Sequence, residues 1–402
     1  MTIVEDNPTD VDPRTGETFA VDGPWLKKLL SSTTKLSRNT YMPVLNSIKV
    51  EPADDPGRVL FTITDLETTV RVEVPAADPD LLDLTGPVVI ARKPLADALK
   101  QVRGAKFGPV TFELGGKTSW NEDAVTVTVG LASIPIHRHP AEEYPALPVS
   151  PIAGQGSLSV DVLCDTAKFA SADTARPILN CVLFKGTSLV ATDSYHLVEN
   201  VLTSPVADED GMLVPVGGIT VMVKLAGKTP SVWVDRSDNH CSFRWTDASD
   251  GRWDVTCRLV EGEFPNFEKL MPPAEDMRWR LEGPRDAFVA GVKALAGGLE
   301  ANTPVVVCEL DDKTVELRGG INGLSGRVPL PGVKFRDDSV VIGFNPDFLL
   351  DVLDGALPDP NGIVAIDGID ALRPVVSDRH LGCTEGANQE RSRRLLMPVR
   401  TA

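Results

Sequence analysis

Histidine, cysteine and acidic residues are all present, and their spacing decides whether metal or acid–base chemistry is on offer. His137 and His139 stand two apart, close enough for two imidazoles on one strand face to share a metal, but no third ligand lies nearby in the sequence. Cys164, Cys181, Cys241, Cys257, Cys308 and Cys383 form no CxxC pair, and most lie in apolar strand-like runs such as Asn180-Cys181-Val182-Leu183-Phe184. They read as reduced core residues. Asp65 and Asp193 each follow a threonine, in Thr64-Asp65-Leu66-Glu67 and Thr192-Asp193-Ser194-Tyr195. Both pairs fall between strand-like runs, where aspartate commonly bonds turn backbone rather than a metal. No Ser/His/Asp order, phosphate loop or clustered His/Cys set accompanies them. The expectation is a protein that is not an enzyme and needs no metal and no cofactor.

The remaining chemistry is electrostatic. A net charge of −17 argues, taken alone, against nucleic acid, because phosphate contacts need Lys and Arg. The basic residues are unevenly spread, however. Residues 24–38 read as a helix carrying Lys27, Lys28, Lys35 and Arg38 with no acid. Residues 91–106 carry Arg92, Lys93, Lys100, Arg103 and Lys106 against Asp97 alone. Four further helical stretches, 161–176, 213–228, 285–294 and 346–355, are less basic, but the six together are positive within an acidic chain. Such faces meet phosphate without reading sequence. A regulator that reads bases would need Arg, Asn or Gln placed on a recognition helix; these helices carry mainly Lys and small apolar residues.

The elements that would position these residues recur. A helical pattern followed by a proline and an apolar strand appears three times, leading to Met42-Pro43-Val44, Arg176-Pro177-Ile178 and Thr303-Pro304-Val305. A short strand running directly into a helix also appears three times, from Val88, Met212 and Val340. Proline in the first turn suits a helix start, since its missing N–H would go unpaired there anyway. Proline-rich joints follow at Glu143-Tyr144-Pro145 and Glu263-Phe264-Pro265. The length is too great for one core, and the repeat is domain-sized. The reading is α+β: three tandem units, each with two helices on one side of antiparallel sheet, over residues 18–148, 149–270 and 271–402. Residues 1–17 read as a disordered lead. That lead is acidic and polar, and no apolar run reaches the roughly 18 residues of a membrane helix, so the expectation is cytoplasmic with no membrane partner. Three like units joined through the same edge make head-to-tail contacts, which close into a ring when the rotation allows.

Several local runs then carry a family resemblance. They are Thr64-Asp65-Leu66-Glu67, Ala91-Arg92-Lys93, Ala191-Thr192-Asp193-Ser194-Tyr195-His196-Leu197, Leu259-Val260-Glu261-Gly262-Glu263-Phe264-Pro265, Ile342-Gly343-Phe344-Asn345 and Leu396-Met397-Pro398-Val399-Arg400. In order and spacing, over residues 18–402, the chain resembles the bacterial DNA polymerase III sliding clamp, the beta subunit, as a somewhat divergent member. The resemblance implies a DNA-clamp fold and a head-to-tail homodimeric ring around double-stranded DNA, bound without sequence preference. It implies a processivity factor that tethers the replicative polymerase, and docking of the clamp loader and other proteins through a short motif. The pocket for that motif would use Leu179, Thr192, Ser194, Tyr195, His196, Leu197, Pro265, Lys269, Leu270, Asn345, Phe348, Met397, Pro398, Val399 and Arg400. DNA would meet Lys27, Lys28, Arg38, Lys100, Arg103 and Arg176, and the dimer contact would involve Ile134 and Leu295.

Four departures stand out. Ser194-Tyr195-His196 replaces the family's Gly-His-Arg, Val216-Gly217-Gly218 lacks a basic pair, and Ser377 to Arg394 reads as a long polar loop. The lead is extra. They fit a specialised or virus-encoded clamp as the alternative to a housekeeping one, with a non-ring DNA-binding regulator a more distant alternative.

Overall fold

The computed structural model describes residues 16–37, 42–101, 108–120, 122–148, 150, 156–298, 304–309, 313–321, 324–355, 362–381 and 390–400. Among them are six α-helices, each fed by a short strand. They are α1 (Gly23–Ser32), α2 (Arg92–Gln101), α3 (Val160–Ala167), α4 (Val216–Ala226), α5 (Arg285–Ala296) and α6 (Pro346–Leu353). Their starts follow local chemistry. Asp22 accepts from the Trp25 N–H at 2.8 Å, and Asn345 accepts from Asp347 and Phe348 at 2.9 and 3.3 Å. Proline occupies the first turn of both α1 and α6, where its missing donor costs nothing.

Helices α1, α3, α4 and α6 are shorter than their periodic patterns, whereas α5 runs two residues beyond its own. The stretch 161–176 is helical only to Ala167. Beyond it the Ser171 N–H donates to Leu179 O at 2.9 Å, and Ser171 Oγ accepts from the Asp173 N–H at 3.1 Å, so the chain doubles back. Arg176 therefore lies in a turn. Likewise α1 stops at Ser32, and residues 213–215 belong to the strand Met212–Pro215. The polar run from Ser377 to Arg394 is not simply a loop: Val375–Leu381 and Glu390–Leu396 are antiparallel strands paired from Val375↔Leu396 to Leu381↔Glu390. Cys164 is half-buried, and Cys181, Cys241, Cys257 and Cys308 are buried free thiols; Cys383 lies outside the described residues.

Two compact units divide the chain. The first comprises residues 1–153 and 221–258. Its antiparallel strands run in the order Thr18–Val21, Val110–Lys117, Asp123–Val129, Ala132–His139, Val88–Ala91, Ser47–Pro52, Arg58–Thr64, Thr68–Pro75, Arg252–Arg258, His240–Thr246, Ser231–Arg236. Helices α1 and α2 pack side by side, and Phe19, Trp25, Phe61 and Trp253 form an aromatic core. Ala132–His139 pairs along one side with Asp123–Val129 but on the other only at Arg138 and His139. Residues 132–137 thus present a strand edge with no partner strand among the described residues.

The second unit comprises residues 154–220 and 259–402. Its larger sheet runs Met212–Pro215, Cys181–Lys185, Ser188–Thr192, His196–Val201, Glu390–Leu396, Val375–Leu381, Ile363–Gly368, Trp279–Pro284, Lys334–Asp337. A smaller sheet runs Leu324–Pro329, Val315–Ile321, Val305–Glu309, Ile342–Phe344, with Leu324–Pro329 at its edge. Helices α5 and α6 pack together. Pairing of His196–Val201 with Glu390–Leu396 brings the end of the chain beside the Thr192–His196 turn.

Candidate peptide pocket at the Thr192–His196 turn

Thr192 through His196 make a tight turn held by bonds among its own residues. Thr192 Oγ1 donates to His196 O at 2.7 Å and accepts from the Ser194 N–H at 3.1 Å. Asp193 Oδ1 accepts from the Tyr195 and His196 N–H groups at 2.8 and 2.9 Å. Thr64 to Thr68 in the first unit repeat this pattern: Asp65 accepts from Glu67 and Thr68 at 3.1 and 2.7 Å, and Thr64 Oγ1 accepts from Leu66 at 3.0 Å. Both aspartates are therefore turn-builders, as their Thr-Asp context suggests. The turn needs a left-handed residue at its third position, φ +84° at Ser194 and +77° at Leu66.

The turn throws Tyr195 outward and His196 inward. Tyr195 is 60% exposed and His196 only 3%. His196 lies between two aromatic rings, 4.5 Å from Phe169 and 4.4 Å from Phe348. Tyr195 stacks on the same Phe348 at 6.1 Å and 15°, and the Arg394 guanidinium lies 5.4 Å from the Phe169 ring centre. A continuous stack, Arg394–Phe169–His196–Phe348–Tyr195, thus ties the turn to α6 and the last strand.

Charge reinforces the stack. His196 Nδ1 stands 2.8 Å from Asp193 Oδ1, and Nε2 stands 3.6 Å from Asp351 Oδ2 on α6. Burial works against an imidazolium here, but the two carboxylates outweigh it and hold the His196 pKa above its ordinary value. Asp193 answers in kind: burial would raise its pKa, but its bonds to His196 leave it lowered. Behind them Arg394, fully buried, bonds Asp165, donates to Asp351 O at 2.5 Å and to Ser392 Oγ at 3.2 Å.

Around this base the expected pocket residues divide by exposure. Met397 and Leu270 are 36% and 51% exposed and offer apolar surface; Pro265, Lys269 and Arg400 are also exposed. Leu179, Pro398 and Val399 are half-buried. The Met397 N–H donates to Tyr195 O at 2.9 Å and the Val399 N–H to Gly343 O at 2.8 Å, so the last residues lie along the turn and the strand before α6. Thr192 is buried within its turn, and Asn345 caps the helix that carries Phe348. Leu197 is 1% exposed and belongs to a buried cluster with Val190, Phe267 and Leu395, so it underlies the surface rather than forming it.

The expected DNA and dimer residues are placed less uniformly. Lys27 and Lys100 are exposed, with Lys100 paired to Asp97 at 2.9 Å, and the Lys28 ammonium lies 5.8 Å from the Trp253 ring centre. Arg38 and Arg103 lie outside the described residues. Arg176 sits at the pocket turn, donating to Ser194 Oγ at 3.4 Å while 3.5 Å from Asp173. Ile134 is half-buried on the free edge strand, whereas Leu295 is buried beneath Gly326 on the edge strand Leu324–Pro329. His137 and His139 meet edge to face at 4.7 Å, with Glu122 3.4 Å from His137. Sequence reading missed Phe169, Asp351 and Arg394. Their one local signal is that Asp351 falls one helical turn after Phe348.

Two antiparallel units whose strands run into short helices define the class: a DNA-clamp fold of the bacterial type. Solved structures share it throughout. A DnaN sliding clamp (DNA polymerase III subunit beta) from Pseudomonas aeruginosa, bound to griselimycin, matches with a TM-score of 0.76 at 20% identity, covering 96% of this chain and 100% of that one. The DNA polymerase sliding clamp of Bacillus subtilis matches with a TM-score of 0.76 at 19% identity over the same shares. No family model matches the sequence. Among characterised relatives, the beta sliding clamp homolog GriR of Streptomyces muensis is 28% identical over 322 residues, 78% of this chain and 81% of that protein. The beta sliding clamp of Streptomyces coelicolor is 26% identical over 373 residues, 89% and 92% of the two. In fold and in sequence the chain is thus similar to bacterial beta sliding clamps, at no more than 28% identity in these comparisons.

Proposed function

We propose that the chain is a DNA sliding clamp: it encircles duplex DNA and tethers the replicative polymerase and other replication or repair proteins. One observation carries this, the family's fold extending over nearly the whole chain with sequence relatives named as beta sliding clamps. On this reading residues 18–148, 149–270 and 271–402 are three clamp domains, and two chains close head to tail. The free edge at residues 132–137, which includes Ile134, meets the edge strand Leu324–Pro329, backed by Leu295, of the partner. Such pairing removes two exposed edges at once. DNA contacts come from Lys27, Lys28, Arg38, Lys100, Arg103 and Arg176, of which Arg176 also serves the pocket turn. The protein acts in the cytoplasm by holding rather than by catalysis.

Client proteins dock at the surface formed by Tyr195, Leu270, Phe348 and Met397, an apolar patch with few polar groups to orient a short peptide. Thr192 to His196 give it shape, and Arg400 and Lys269 border it. The specialised-clamp reading rests on the turn itself, where Ser194-Tyr195-His196 buries an imidazole and Arg176 donates to Ser194 Oγ. The test is twofold. Mass in solution should be that of a dimer, and protein loaded on a closed DNA circle should stay until the circle is cut. Equal release from circular and linear DNA would refute topological linkage.

A further inference from the structure

The face of the larger sheet that carries Leu197 continues past the candidate pocket. Leu197 lies opposite Leu395, and Glu199 opposite Arg393, which in turn lies opposite Asp378. Alternation places all of these on one face. At its apolar end Phe264, Phe267 and Met271 cover Leu197 and Leu395. Farther along, the chain from Glu268 to Met277 stands off the sheet. It leaves a cleft of about 370 Å³, floored by Val376, Asp367 and Asp378 and walled by Met271 and Met277. That volume suits one or two side chains rather than a domain. Met271 belongs to both sites, lining the cleft and packing on the Leu197 cluster.

We propose that this cleft receives an apolar side chain and an adjacent basic side chain from the flank of a docked client peptide. The inference rests on the pocket reading above. The two methionines supply the apolar part, since a thioether adapts to differing guests. Charge selects the basic part. Both arginines of the lining are already held, Arg393 Nε by Glu199 at 2.6 Å and Arg391 Nε by Asp378 at 2.8 Å. Glu268, at the mouth, has no cationic partner among the described residues, and Asp367 shares one arginine, Arg280, at 3.2 Å. Burial pushes the Asp367 carboxyl above its usual range, only partly relieved by Arg280 and worsened by Asp378. An added cation therefore finds under-neutralised carboxylates, while an anion finds occupied guanidiniums.

The test uses the full chain and fluorescence anisotropy. A polymerase-derived clamp-motif peptide is compared with versions extended by Leu-Arg or Leu-Glu at either end. At one end Leu-Arg should tighten binding about tenfold, the scale of one buried apolar side chain, and Leu-Glu should tighten it less. Met277→Ala should erase most of the gain, Asp367→Asn should reduce the Leu-Arg gain to that of Leu-Glu, and both should leave the unextended peptide unaffected. No gain at either end, or a Leu-Arg gain that persists in full in both variants, overturns the proposal. Failure of the unextended peptide to bind would instead sink the pocket reading. N-acetyl-Leu-Arg amide, followed by ligand-observed NMR, then tests the cleft alone: signals broadened by wild type and less by each variant support it, and equal behaviour refutes it.

Discussion

Leu197 and Met397 both belong to the expected pocket, yet burial makes opposite predictions for them. Leu197→Ala removes three carbons from a site that is 1% exposed. At about 0.8 kcal/mol per methylene the transfer loss is about 2.4 kcal/mol. The unfilled space among Val190, Phe267 and Leu395 adds to it, for a total of about 3–4 kcal/mol, within the range for buried Leu→Ala changes. Met397 is 36% exposed, so Met397→Ala should cost below about 1 kcal/mol of stability. Its effect belongs in binding, where an apolar anchor at a small site is worth about tenfold or more in affinity. Urea unfolding and titration calorimetry with a polymerase-derived peptide separate the two. Leu197→Ala should lower the urea midpoint sharply, and Met397→Ala should leave it nearly unchanged while weakening the peptide. If Leu197→Ala proves neutral to stability, the cluster is not packed as described. If Met397→Ala leaves peptide affinity unchanged, the pocket lies elsewhere.

Three further outcomes follow from the same unit. The His196 pKa is raised in the folded state, so its contribution is fully present below the unfolded histidine value of about 6.5 and is lost as pH rises through the folded pKa. Urea midpoints against pH should show that decline in wild type and a flatter alkaline limb in His196→Gln; identical limbs would show that the imidazole is not held charged. Arg394→Met leaves Asp165 buried without its guanidinium and should cost about 3–5 kcal/mol, with much recovered in the Arg394→Met/Asp165→Asn double variant, by the same unfolding assay. Ser194→Gly should stabilise by about 0.5–1 kcal/mol. It relieves about 1–2 kcal/mol of left-handed backbone strain and gives back part in unfolded-chain entropy, and Leu66→Gly at the matching turn should behave alike.

The strand-to-helix joints were readable because their determinants are local: Pro346 and the Asn345 cap sit within four residues of what they organise. The Thr-Asp turns were readable for the same reason. Helix 161–176 overran because its periodic pattern continues past Ala167, whereas the competing bond from Ser171 to Leu179 closes a turn that periodicity does not register. The base of the pocket was not readable at all. Arg394 and Asp165 are separated by 229 residues, and Phe169 and Phe348 reach His196 from separate segments. That base also accounts for the turn's unusual sequence. Where the family carries Gly-His-Arg, this chain accepts strain at Ser194 and gives up a guanidinium. An imidazole in its place is small enough to bury between two rings and is matched by carboxylates at both nitrogens. Tyr195 is then left at the rim, braced on Phe348. The substitution alters what the turn presents at its rim and ties its inward side to Phe169, Phe348 and two carboxylates.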